Sequence, residues 1–163
     1  KRNLKYAPGN LCKLAYITLI RLKIEYASAI WDPTQIYIIH DKKSLQNRAV
    51  RFIFSDYSPY TSISALKARA QLDDLSYRRR NARLSLLHKL YHHPYLHRIF
   101  ETPTVIFPRT DHIFKIKRIN CRSAHYANSF IPRTIVAWNN LPSHIATEAD
   151  YATFQELLRN ISD

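Results

Sequence analysis

The sequence contains no methionine and only one glycine, Gly9, among 163 residues. Because glycine normally makes up about 7% of a chain, glycine-rich phosphate-binding loops are excluded, and turns must form from proline, asparagine, aspartate and serine. The chain also begins at Lys1 and Arg2. Together with the lack of methionine, this start leads us to expect a piece of a longer reading frame.

Cysteine and long apolar runs are equally scarce. Cys12 and Cys121 are too few for a four-cysteine zinc site and indicate a reducing compartment, with a single long-range disulfide as the alternative. Charged residues such as Arg21 and Lys23 interrupt the longest apolar runs. The sequence therefore predicts neither a transmembrane segment nor a signal peptide.

Acidic residues number 12 against 25 lysines and arginines, which gives a net charge of +13. Such an excess attracts polyanions, and both nucleic acids and acidic membrane surfaces qualify. Insertion into lipid requires a helix with a large apolar face beside its basic face, and the most basic predicted helix, at residues 74–91, lacks such a face. We therefore expect RNA or DNA as the partner and no membrane.

Apolar residues recur at steps of three and four along most of the chain, so the predicted fold is mainly α. The predicted helices cover residues 10–30, 33–54, 62–70, 74–91, 95–100, 132–140 and 150–161. Asp32 is expected to cap the second helix, with Pro33 in its first turn. Residues 101–122 are rich in β-branched and aromatic residues, which predicts a short extended or β segment before the C-terminal helices.

Basic residues cluster in the fourth predicted helix and in the extended segment. The candidate nucleic-acid contacts are Arg78, Arg79, Arg80, Arg83, Lys115, Lys117, Arg118, Arg122 and Arg133. Tyrosines, Tyr77 and Tyr126 among them, lie close by in sequence, and cations beside stacking aromatics are what a nucleic-acid groove needs. The alternative is a solvated helix face.

Other residue types offer less specific chemistry. Trp31 and Trp138 each sit beside small or apolar neighbours at a junction of two elements, which predicts structural anchors in the core rather than stacking platforms. His88 and His92 have metal-ligand spacing, but no further ligand is suitably placed. We expect no metal, no cofactor and no catalytic residue.

Four segments together resemble one family. They are EYASAIWDP at 25–33, QNRAVRFIF at 46–54, YRRRNARLSLLHKL at 77–90 and NSFIPRTIVAWNNLP at 128–142. In this order they resemble reverse transcriptases of LINE-type, Jockey-like non-LTR retrotransposons, in the part that follows the catalytic palm. The likeness is greatest to the arthropod members called tick transposons, and it covers about residues 3–161.

The resemblance implies a place within a larger RNA-directed DNA polymerase. Residues 1–57 would be thumb-like helices, 58–100 a basic helical extension, and 101–163 a C-terminal subdomain with an extended arm. The implied role is non-catalytic: holding template RNA or target DNA by backbone contacts, beside the rest of the polyprotein, in an intracellular nuclear or cytoplasmic ribonucleoprotein.

The resemblance also raises the question of whether this chain carries catalytic residues. The pair Asp73-Asp74 could suggest the metal-binding aspartates of a polymerase, but it introduces a helix, so a capping role is expected and the chain itself is not expected to be an enzyme. The alternatives to nucleic-acid binding are a structural brace for the missing palm and an inactive relic of a decayed element.

Overall fold

The computed structural model describes residue 4 and residues 6–107 and 111–161. The chain divides into an N-terminal unit (residues 1–28 and 33–78) and a C-terminal unit (residues 29–32 and 79–163). These boundaries differ from the predicted ones at 57 and 100. The mainly α fold is confirmed, and the described part of residues 101–122 forms no strand.

The N-terminal unit consists of helices around a small core. Its elements are α1 (Gly9–Ala15), a π-helical segment (Tyr16–Arg21), α2 (Leu22–Glu25), α3 (Ile36–Phe54), α4 (Ile63–Ala70) and the first turn of α5 (Leu75–Tyr91). The core residues are Cys12, Tyr16, Ala49, Val50, Ile53, Leu66, Ala70 and Leu72. Gln46, also buried, donates its amide to the Asp73 carbonyl at 2.8 Å, which holds the start of α5 against α3.

Helix starts were predicted with mixed success. Ser62 and Asp74 accept backbone hydrogen bonds from Ala65 and Ser76, as capping side chains do. The prediction that Asp32 caps the second helix is wrong, because that helix, α3, begins after Gln35 and has no side-chain cap. The Asp32 carboxylate binds arginine side chains instead, so its oxygens are not available to the backbone N–H groups of α3.

The scarcity of glycine is visible at the helix ends. Ser55 and Gln71 end α3 and α4 in the left-handed conformation, with φ of 51° and 52°, where glycine is the usual residue. The single glycine instead stands where α1 meets α3. A Cβ on Gly9 would lie 2.9 Å from the backbone oxygen of Ile53, so only glycine permits this approach.

The C-terminal unit is built around Trp138. Its elements are the rest of α5, a 3-10 turn (His97–Ile99), α6 (Ala124–Ala127), α7 (Phe130–Asn139), α8 (Ser143–Ala146) and α9 (Tyr151–Asn160). The core residues are Leu84, Leu87, Ile116, Ile135, Trp138, Leu141, Ile145, Ala146, Phe154 and Leu158. Asp150 caps α9 by accepting the Thr153 N–H at 2.8 Å. In the ranges that the structure describes, no helix is both long and apolar enough to cross a membrane.

The end of α7 holds the non-helical segment that precedes it. Asn139 donates its amide to the Ile116 carbonyl at 2.7 Å and accepts the Ile116 N–H at 2.9 Å. The Trp138 indole donates to the Phe114 carbonyl at 2.8 Å, and the buried His112 donates to the Trp138 carbonyl at 3.0 Å. These bonds replace the sheet pairing that an isolated extended segment lacks.

Candidate functional site

Three of the predicted nucleic-acid contacts surround one carboxylate. Asp32, whose side chain is 7% exposed, accepts the Arg79 Nε–H at 2.7 Å and lies 3.1 Å from Nη1 of Arg133. Arg83 contacts the second carboxylate oxygen. Arg79 and Arg83 are only 4% and 6% exposed, so their guanidinium groups lie inside the C-terminal unit and not on a surface that a nucleic acid could reach.

The cluster carries more positive than negative charge. Burial, and then the nearby charge of Arg133, lowers the pKa of Arg83 to about 10. Burial, and then Arg79, lowers the pKa of Arg133 as well. Arginine is a cationic side chain in proteins, and here one carboxylate lies against three of them. The cluster is therefore a structural ion-pair network, in which loss of Asp32 would leave buried charges without compensation.

Two more predicted contacts are also paired with carboxylates. Arg78 donates two hydrogen bonds to the Glu25 carboxylate, one from Nε and one from Nη2, the latter at 2.9 Å. Hydrogen bonding to Glu25 is the main cause that raises the pKa of Arg78. Lys115 pairs with Asp111. Arg80 is half-buried. The structure therefore pairs Arg78, Arg79 and Arg83 of α5 with carboxylates and does not place them in one exposed stripe.

The exposed cations of the predicted set lie in the segment after Ile116. Arg118 and Arg122 are exposed, and neither forms an ion pair with any residue in the described part of the chain. Lys117 is exposed and binds Glu101, with 2.6 Å between Nζ and Oε2. Of the predicted contacts, Arg118 and Arg122 are therefore the two that are exposed and have no ion-pair partner among the described residues.

A cleft of about 430 Å³ opens beside this segment. Its apolar lining comes from the 3-10 turn, from the extended segment and from α7, including Ile99, Ile116, Ile131 and Ile135. Its polar lining residues are Glu101, Lys117, Arg118, Asn120 and Tyr126. The Lys117 N–H donates to the Glu101 carbonyl at 2.7 Å, so that two non-helical segments of the cleft wall are bonded to each other.

Tyr126 stands in this lining on a firmly held backbone. Ser123 accepts its N–H at 3.2 Å and so caps the short helix α6, while the Ser129 hydroxyl donates to the Tyr126 carbonyl at 2.7 Å. The Tyr126 side chain is nevertheless 50% exposed. An aromatic ring that is fixed at its base and open to solvent is available for contact with a ligand.

The two tryptophans differ in position. Trp138 is completely buried, whereas Trp31 is 56% exposed, so the expectation that Trp31 anchors a core is wrong. The adjacent residue Asp32 is the buried one. In the EYASAIWDP segment, the charged side chain rather than the aromatic one joins the interior of the C-terminal unit.

Sequence reasoning missed the structural use of two polar residues. His88 is buried, donates to the Glu148 carbonyl at 2.8 Å and stacks on Phe154, with ring centroids 4.2 Å apart. Burial is the main cause that lowers its pKa. The other is Asn139, whose paired hydrogen bonds to Ile116 position the cleft wall. No sequence signal identifies a long-range bond of this kind.

Comparison of the chain with models of protein families, with curated proteins and with solved structures finds no match in any of the three. The likeness to non-LTR reverse transcriptases therefore rests on the four sequence segments alone.

Proposed function

We propose that this chain is a non-catalytic nucleic-acid-binding piece of a non-LTR retrotransposon reverse transcriptase. It would hold template RNA or target DNA by contacts to the sugar-phosphate backbone, as part of an intracellular ribonucleoprotein. The observation that supports this most is the pair Arg118 and Arg122, two exposed cations without ion-pair partners in the described residues, beside a cleft that contains Tyr126.

The expected binding is insensitive to base sequence. Each lysine or arginine that neutralises a phosphate releases condensed counterions, which contributes affinity without reading bases. The described helices beside the cleft are short: α6 has 4 residues and α7 has 10. α7 is also occupied by core packing, so its side chains are not free to read a groove.

Salt dependence tests this proposal. The affinity of the chain for an RNA should fall by orders of magnitude between about 50 and 200 mM salt if several phosphates are contacted. Fluorescence anisotropy with a labelled RNA and with a labelled DNA duplex measures it. An affinity that is flat across this range would overturn the proposal, as would binding no tighter than that of an unrelated protein with the same net charge.

A structural brace is the second candidate, and the paired arginines favour it. Arg78, Arg79 and Arg83 hold Glu25 and Asp32, so much of the basic α5 helix serves folding. In that case the helices would support the polymerase body, and nucleic-acid affinity would be no more than the net charge provides. The comparison with a charge-matched protein separates the two roles.

A further inference from the structure

We propose that the cleft beside Tyr126 binds an unpaired nucleobase, and that the chain therefore prefers single-stranded over double-stranded nucleic acid. This inference rests on the proposed function, because it names the ligand of the same surface. It concerns the C-terminal unit only.

The size and lining of the cleft suit a flat, partly apolar ligand. Its volume of about 430 Å³ lies within the range of about 300–1,000 Å³ that small-molecule sites occupy. Isoleucine side chains form its apolar surface, and Asn120 adds an exposed amide that hydrogen-bonds to no residue in the described ranges. An amide of this kind can both donate to and accept from a base edge.

Tyr126 supplies the stacking surface. Its backbone is held on both sides by Ser123 and Ser129, so little ordering is required of it when a base stacks on its exposed face. Stacking on a protein aromatic ring tolerates every base, because each base has a π-face. The contact therefore agrees with sequence-independent binding.

The charges at the cleft favour a nucleic acid over an apolar side chain of a protein. Glu101 is the one acidic residue among those that line it, and Lys117 already neutralises this carboxylate and lowers its pKa. Arg118 is left with its charge uncompensated, and Arg122 adds another close by in sequence. A base whose flanking phosphates meet these arginines satisfies both the apolar and the charged part of the site.

The recessed shape of the cleft favours a single strand over a duplex. A base enters a cleft only after it leaves its stack, and in a duplex this costs a few kcal/mol of unpairing and unstacking. A single strand avoids the unpairing cost. The two phosphates beside the base can then meet Arg118 and Arg122.

The test compares Tyr126→Ala with Tyr126→Phe and with Tyr60→Ala, a control at an exposed tyrosine of the N-terminal unit. Each variant is titrated with a single-stranded oligonucleotide that carries a fluorescent base quenched by stacking, and with the matching duplex. We expect Tyr126→Ala to lose the quenching and roughly tenfold in single-strand affinity, with little change for the duplex. Tyr126→Phe and Tyr60→Ala should behave as the wild type.

The outcomes distinguish this inference from the proposed function. If wild type binds both nucleic acids equally well and Tyr126→Ala changes neither, the base site is wrong while nucleic-acid binding stands. If wild type binds neither, the proposed function fails as well. Thermal unfolding of each variant checks its fold. Should the alanine variant not fold, the wild type still decides the question, because a wild type that neither quenches the fluorescent base nor prefers the single strand would overturn the inference.

Discussion

Arg79 donates its Nε–H to the carboxylate of Asp32 at 2.7 Å, although the two residues are 47 positions apart. Both side chains are nearly inaccessible to solvent. The bond ties the short 29–32 segment to α5 within the C-terminal unit. Because this bond buries Arg79, the arginine is not at the surface, although the sequence predicts it to contact nucleic acid.

Replacement of Asp32 by asparagine should destabilise the protein by about 3–5 kcal/mol, because the arginines would lose the one carboxylate that they share. Urea unfolding measures the change. Asp41→Asn on the exposed face of α3 is the matched control and should stay within about 0.5 kcal/mol of wild type. Equal stabilities of the two variants would show that the cluster does not support the fold.

Asn139→Ala should cost about 2–5 kcal/mol, because it leaves both the N–H and the carbonyl of the buried Ile116 without partners. The neighbouring Asn140 is exposed, and its replacement by alanine should have little effect. Chemical denaturation of the two variants gives the comparison. A similar cost for both would contradict the role assigned to Asn139 in holding the cleft wall.

Helix positions were predictable from the sequence because apolar spacing and capping residues are local signals. Helices α3, α4, α5 and α9 lie within a few residues of their predicted ranges. The sequence could not show that Arg79 is buried and Arg118 exposed, because both are arginines in basic stretches. Burial of one and exposure of the other depends on whether a distant carboxylate, Asp32, reaches them.

Gly9→Ala should destabilise the N-terminal unit by about 1–3 kcal/mol, although alanine is the better helix former. The added Cβ would meet the backbone oxygen of Ile53 at 2.9 Å, and backbone cannot move aside cheaply. Gln71→Gly is the informative opposite, because it relieves a left-handed residue with φ of 52° and should be neutral or stabilising. Thermal unfolding compares them. A stabilised Gly9→Ala variant would refute the close approach of α1 and α3.

Acidification should weaken the fold below about pH 6.5, the ordinary pKa of histidine. Burial lowers the pKa of His88 and of His112. Below pH 6.5 these two imidazoles therefore bind more protons in the unfolded chain than in the folded one. Stability is thus fully present above pH 6.5 and is lost as pH falls toward the lowered values, by at most about 1.4 kcal/mol per pH unit for each histidine.

Urea unfolding between about pH 7.5 and pH 5 follows this loss in a range above the titration of carboxylates. His88→Gln should reduce the pH dependence, whereas the same change at the exposed His144 should not. A stability that is constant across the range would contradict the burial of neutral imidazoles.

The most direct test of nucleic-acid binding compares two double variants that each remove two positive charges. Arg118→Gln with Arg122→Gln alters the proposed surface, and Lys23→Gln with Arg159→Gln alters exposed cations elsewhere. The measurement is the slope of log affinity for RNA against log salt. We expect the first variant to reduce the slope by about 2 and the second to leave it unchanged. Equal reductions in both would show that net charge alone binds RNA, and would contradict a defined binding surface.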